Sequence, residues 1–182
     1  MTNDIKAALD RTLQGLAYWM AYKYEKNIIH LKEPDIVSIT ADLLNARLSN
    51  CYIKSEVDYS SLNNALPKQY ADLAIFSRND NKCNCLIEFK LSSNTNGGYK
   101  KDVQKLKKVK KLIPDINCLV IIAYSKSCTL KVPKLLVTTE GKAKRGIIKD
   151  VKGVNVKVRR VCNALASKSA NKMKKVICLE VI

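Results

Sequence analysis

The chain has 182 residues and sets 33 Lys and Arg against 16 Asp and Glu, a formal charge of +17 at ordinary apolar content. That is the profile of one folding domain, and it excludes a disordered basic tail. The longest strongly apolar run, 118–124, is far short of the ~18 residues a spanning helix needs, and the first residues alternate charged and apolar side chains, unlike a secretory leader.

A single histidine, His30, excludes chemistries that need two or more histidines within one chain. No Gly-x-Ser-x-Gly elbow, Gly-x-Gly-x-x-Gly turn or Walker A loop is present; Gly141-Lys142 is followed by Ala143 and has Leu136 where the first glycine belongs. The seven cysteines (51, 83, 85, 118, 128, 162, 178) lie mostly in apolar stretches, which predicts packed, reduced thiols in a cytoplasmic compartment. Cys83-Asn84-Cys85 has the wrong spacing for a zinc knuckle and no second pair.

Periodicity predicts a helix over 3–27, with Ile5, Leu9, Leu16 and Met20 on one side. Tyr18, Trp19, Tyr22 and Tyr24 ride on it, and Trp19 marks it as the candidate interface of a homodimer. A second helix opens at Glu33-Pro34-Asp35 and runs to about Leu48, with Ile36, Ile39, Leu43 and Ala46 as its buried stripe. The period then shortens to that of strands at 51–59, 72–76 and 85–91. After a polar, glycine-bearing loop at 92–98, helical spacing returns over 99–113 (Val103, Leu106, Val109 or Lys110, Ile113), and Pro114 ends it. A buried strand follows at 117–124, then a strand at 154–159, a helix over about 161–172 and a last strand at 175–182. With no repeat and no convincing linker, this reads as a single α/β domain of three parts: an N-terminal helix (1–33), a core (34–124) and a basic C-terminal extension (125–182).

The chemistry lies in Tyr70-Ala71-Asp72-Leu73-Ala74-Ile75-Phe76 and Cys85-Leu86-Ile87-Glu88-Phe89-Lys90-Leu91, joined by the turn formers Arg78-Asn79-Asp80-Asn81-Lys82. A hairpin symmetric about Asp80 sets Asp72 directly across from Glu88, with Cβ atoms about 4.5–5.5 Å apart. Two carboxylates that close repel unless a cation lies between them. Lys90 follows Glu88 by two residues and shares its face, while Phe89 turns to the other. Leu86 would share that face too, so a merely solvated strand explains the charges poorly; a strand apolar on both sides belongs in a covered sheet. Two acids and an amine suffice for metal-assisted phosphodiester hydrolysis, since Mg²⁺ takes few carboxylates and keeps positions for water and phosphate.

An Asp opening one strand, Glu-x-Lys on the next, and a helix and strand thereafter resemble the PD-(D/E)xK nuclease superfamily over about residues 34–124, with Ala71 in place of the motif's proline. The resemblance implies a restriction endonuclease-like αβββαβ core, a mixed central sheet flanked by helices, here with an added N-terminal helix and a C-terminal strand-helix-strand extension. It implies that Asp72, Glu88 and the Phe89 carbonyl bind Mg²⁺, for which Mn²⁺ can substitute, and that Lys90 assists the attacking water. It further implies an additional acid on the first strand or first helix, where Glu56 is preferred over Glu25 and Asp42, and a glutamine on the following helix, matched by Gln104.

Residues 1–99 hold 11 basic and 11 acidic side chains, whereas 100–182 hold 22 and 5. Such asymmetry predicts one face built for a polyanion. Lys100, Lys101, Lys105, Lys107, Lys108, Lys110 and Lys111 decorate the helix after Glu-x-Lys, and Lys142, Lys144, Arg145, Arg159 and Arg160 are candidates to extend the track. Arg159 and Arg160 are the better candidates for forked contacts to bases or phosphates. The expected activity is a metal-dependent endodeoxyribonuclease, restriction-like or junction-selective, with RNA left open as a substrate. Its rivals are a non-catalytic nucleic-acid-binding protein that keeps the nuclease fold, and a basic module for an acidic protein partner.

Overall fold

The computed structural model describes residues 1–25, 31–92, 98–124, 136, 142, 146–151, 153–165 and 173–182. His30, Cys128, Lys144 and Arg145 lie outside them. Helix α1 (Asn3–Glu25) is followed by α2 (Glu33–Asn45), whose start is set by Pro34 in the first turn and by Asp35, which accepts a hydrogen bond from the Lys32 N–H at 2.7 Å. Strands β1 (Cys51–Asp58), β2 (Tyr70–Ser77) and β3 (Cys83–Ser92) come next, then helix α3 (Tyr99–Leu112) and strand β4 (Asn117–Tyr124). The chain closes with β5 (Ile147–Val151), β6 (Val154–Leu165) and β7 (Met173–Val181).

The seven strands form one mixed sheet in the order β1-β2-β3-β4-β7-β6-β5, with β3 and β4 parallel and every other pair antiparallel. The parallel pair is bridged by α3, as a parallel connection requires. One face carries α1 and α2 over Leu73, Ile75, Cys85, Ile87, Phe89, Leu119 and Ile121. The other carries α3 over Ala74, Leu86, Cys118, Val120 and Ile122. Helices on both faces explain why β4 is buried along seven successive residues from Cys118 to Tyr124. No helix among the described residues is long and apolar enough to cross a membrane.

The apolar stripe of α1 packs as its periodicity predicts. On α2 the buried line is Ile36, Thr40 and Leu44, a slight rotation from the expected one, and Thr40 satisfies its hydroxyl by donating to the Ile36 carbonyl at 2.7 Å. Trp19 packs against the α1–α2 core with Lys23 over its ring, while Tyr18, Tyr22 and Tyr24 are the aromatic side chains that α1 exposes.

The expected helix over 161–172 is corrected: 161–165 continue β6, and the remainder lies outside the described residues. The cause is a register shift between Val158 and Arg160. A bulge slips the period-2 pattern by one residue, so that Val158, Val161, Cys162 and Leu165 fall at helical spacing although the backbone is extended. The C-terminal extension is therefore built of strands where it is described, and β5, which the sequence pattern did not reveal, pairs with β6 at the sheet edge.

Candidate active site

The β2–β3 ladder pairs Ile75 with Cys85, Ala74 with Leu86 and Leu73 with Ile87, the register expected of a hairpin centred on Asp80. One step further this register faces Asp72 with Glu88, and there the ladder stops. The Asp72 carboxylate takes its place: Oδ2 accepts the Phe89 N–H at 2.6 Å. Asp72 is thus half-buried and turned to the β3 backbone, with its charge felt at Glu88.

On β1 the residue facing Asp72 is Glu56, which lies between the pairs Ser55–Leu73 and Val57–Ala71 and adopts a φ of 51°. The left-handed backbone turns Val57 and Ala71 to the α3 side, where both are buried. A non-glycine residue pays for that conformation. Glu56→Gly is expected to raise stability by up to about 1 kcal/mol and Glu56→Val to lower it by more, read from urea unfolding midpoints.

Glu88 is 3% exposed, as befits a central strand. Its carboxylate accepts the Tyr59 hydroxyl hydrogen and pairs with Lys105 of α3 at 2.7 Å. Burial pushes the Glu88 carboxyl up to about 7, against the pull of Lys105 and Tyr59 in the other direction and with a small push from Asp72. The Tyr59 hydroxyl is held far above its usual range, first by burial and then by the Glu88 charge, so it remains a donor.

Lys90 does not turn to Glu88. Its ammonium meets Glu33 Oε2 at the start of α2, at 3.3 Å, and the same oxygen accepts the Leu91 N–H at 2.9 Å. Asp102, in the first turn of α3, feels Lys90 and Lys105 on one hand and Asp72 and Glu33 on the other. Burial dominates these influences and raises its carboxyl to about 6. Asp102 Oδ2 is buried and makes no hydrogen bond.

Glu33, Asp72, Glu88 and Asp102 therefore gather around Lys90 and Lys105, an excess of acid in a chain of charge +17. A cleft of about 470 Å³ between α2 and the sheet brings Glu33, Asp42, Glu56 and Asp72 to its walls. Glu25, the last residue of α1, is not among its lining residues. Among the described residues no three Asp, Glu, Cys or His side chains converge into a ready-made metal cage. The donors are hard carboxylate oxygens of the kind Mg²⁺ and Mn²⁺ accept, and the orphaned Asp102 oxygen is a group that a cation would satisfy. In donor chemistry the residues fit such an ion.

A second groove runs along the outer side of α3, lined by Lys101, Asp102, Gln104, Lys105, Lys107 and Lys108 together with Gln69. Gln104 lies there and not in the α2 cleft. Lys100 is half-buried on the same helix, Lys107 donates to the Gly153 carbonyl at 3.1 Å, and Lys110 donates to the Ile116 carbonyl at 2.8 Å. Lys111 is exposed near the helix end. Arg159 and Arg160 stand on the other side of the sheet, where the β6 bulge turns both toward α1 and both pair with Asp10, at 3.7 and 3.5 Å. Their guanidinium groups are thus engaged away from the α3 groove.

The residues that sequence reasoning missed are Glu33, Tyr59 and Asp102, and Lys105 appeared there only as one of several surface lysines. Glu33 carried a faint signal, an acid at a helix start just before a proline. The six described cysteines are free, and burial pushes Cys83 and Cys118 up to about 12, which makes both inert as nucleophiles. Comparison of the chain with protein-family models, curated proteins and solved structures finds no match.

Proposed function

We propose that this chain is a metal-dependent endonuclease that hydrolyses DNA phosphodiester bonds with a PD-(D/E)xK-like site. The observation that carries the reading is the hairpin register, which sets Asp72, Glu88 and Lys90 at one end of β2 and β3 amid an excess of acid, with Glu88 buried. Asp72 and Glu88, with the Phe89 carbonyl, are the groups that would hold Mg²⁺ or Mn²⁺. When bound, the ion supplies Lewis acidity at a phosphate oxygen and lowers the pKa of its water.

The chain's own groups do the rest. Lys90, held by Glu33, keeps an ammonium beside the acids, where it orients the attacking water or meets charge developing on the phosphate. Tyr59 keeps a proton on the Glu88 oxygen side and fixes that carboxylate's direction. Glu56 supports the cleft wall opposite Asp72, and Gln104 faces the basic groove. The lysines of α3 contact phosphates without reading sequence.

A second reading has its own observation. Glu88 and Lys90 are both engaged in ion pairs, the arrangement expected if the fold is kept only as a platform for binding nucleic acid. Incubation of the protein with supercoiled plasmid in Mg²⁺ and in EDTA, beside gel shifts in EDTA, separates the two. Nicking that requires Mg²⁺ supports the endonuclease; retarded DNA with no nicking in Mg²⁺ or Mn²⁺ supports the platform.

Salt tests the binding face. Log K against log[salt] is expected to fall by about 0.9 per phosphate neutralised. Replacing Lys100, Lys101, Lys107 and Lys108 by Ala should flatten the slope and weaken all duplex sequences alike, whereas Arg159→Ala with Arg160→Ala should leave it nearly unchanged. An unaltered slope in the lysine variant would place the phosphate contacts on another face.

A further inference from the structure

Lys105 belongs to two places at once. Its ammonium lies 2.7 Å from Glu88, sits 5.2 Å from the centre of the Tyr59 ring, and donates to the Tyr70 carbonyl. The same side chain lines the groove shared with Lys101, Lys107 and Lys108, and 24% of it is exposed there. A buried carboxylate needs a counter-charge, and removing the partner of such a pair leaves an uncompensated charge. An ammonium on a four-carbon stem is a compact charge that can be traded for another without moving the backbone. Lys90 does not stand in the same position, because its partner Glu33 is a third exposed and touches water already.

We infer that Lys105 is the exchangeable counter-ion of this site: it holds the cation position beside Glu88 when no divalent ion is bound, and passes to a phosphate in the neighbouring basic groove when one is. The inference rests on the endonuclease reading and adds to it a residue that couples ion loading to DNA binding. Two consequences follow from the geometry. The divalent ion and Lys105 compete for one carboxylate, so removing the ammonium strengthens ion binding. Ion loading also releases one positive charge at the groove wall, so the ion strengthens DNA binding through Lys105; by linkage, DNA strengthens ion binding by the same factor.

The test uses the full chain as parent, Lys105→Met, Lys105→Arg and Glu88→Gln. Each is titrated with Mn²⁺ by calorimetry without DNA, and each is assayed for binding a short duplex in Ca²⁺ and in EDTA. Lys105→Met is expected to bind Mn²⁺ roughly tenfold more tightly than the parent, because a unit charge in contact with the ligand has been removed. Lys105→Arg, which keeps the charge, should stay close to the parent. The factor by which Ca²⁺ tightens duplex binding should be clearly smaller in Lys105→Met than in the parent. Should the Met variant fail to fold, Lys105→Gln retains a hydrogen-bond donor without the charge and gives the same comparison. Equal or weaker Mn²⁺ binding by the uncharged variants, or an unchanged Ca²⁺ factor, overturns the role of Lys105 while leaving the endonuclease reading standing, provided Glu88→Gln weakens Mn²⁺ binding. A parent that binds no Mn²⁺, or binding that Glu88→Gln leaves intact, overturns the endonuclease reading itself and the inference with it.

Discussion

Asp72→Asn, Glu88→Gln and Lys90→Met are each expected to lower Mg²⁺-dependent plasmid nicking by at least about 10²-fold, the scale of losing one group that stabilises transition-state charge. Duplex binding in EDTA should survive in all three, because the α3 lysines are untouched. The choice of substitution matters at position 72. The Asp72 carboxylate satisfies the Phe89 N–H where the β2–β3 ladder ends, and Asp72→Ala would leave that donor without a partner at a cost of about 1–3 kcal/mol. Asparagine keeps an acceptor and removes the charge, so lost nicking in Asp72→Asn reports on chemistry and not on unfolding. For Asp72→Asn and Glu88→Gln, binding in EDTA should tighten slightly, since a carboxylate facing a phosphate repels it. Glu56→Gln and Gln104→Ala should be milder in nicking than these. If Asp72→Asn or Glu88→Gln nicks as well as the parent, the reactive centre lies elsewhere.

How far the sequence reached depended on the range of the interactions involved. The hairpin register was legible in part: Leu73–Ile87, Ala74–Leu86 and Ile75–Cys85 match a turn centred on Asp80, whereas Phe76 pairs with Cys83, and the bulge between Ile75 and Phe76 that restores the match is not encoded in the turn formers. Helix α3 was legible because Val103, Leu106 and Val109 repeat at helical spacing and Pro114 stops them. Strand β6 was half legible, since its bulge at Arg159 converts one period into the appearance of another. The partners of the charged residues were not legible. Lys90 meets Glu33 and Glu88 meets Lys105 across elements whose approach is set by how α2 and α3 dock on the sheet, and no spacing along the chain encodes that. The same limit applies to Arg159 and Arg160, which composition assigns to the basic face and which Asp10 holds on the other one.

Stability in EDTA is expected to fall by about 3 kcal/mol through Glu88 alone as the pH rises from about 4.5 to above 7, and Glu88→Gln should remove that share of the decline. The carboxyl titrates at 4.5 when unperturbed and at about 7 in the fold, where burial outweighs the Lys105 and Tyr59 contacts. Between those values the folded chain holds a proton that the unfolded chain has released, so each rise in pH favours unfolding. The contribution is fully present below the unfolded value and is lost as the pH passes the folded one. Asp102 adds a decline of the same sign, between 3.8 and about 6, reduced by its partial exposure to solvent. Glutamine at position 88 resembles the protonated acid: it still accepts the Tyr59 hydrogen bond and never charges. Urea unfolding at pH 5 and pH 8 should therefore show the parent losing more stability than Glu88→Gln, with the variant the more stable of the two at pH 8. Mg²⁺ added at pH 8 should restore the parent and leave the variant nearly unmoved, because an ion that binds only the folded state stabilises it in proportion to its loading. A parent whose stability rises over this range would mean that the Lys105 pair outweighs the burial of the ionised Glu88, opposite to the direction expected here.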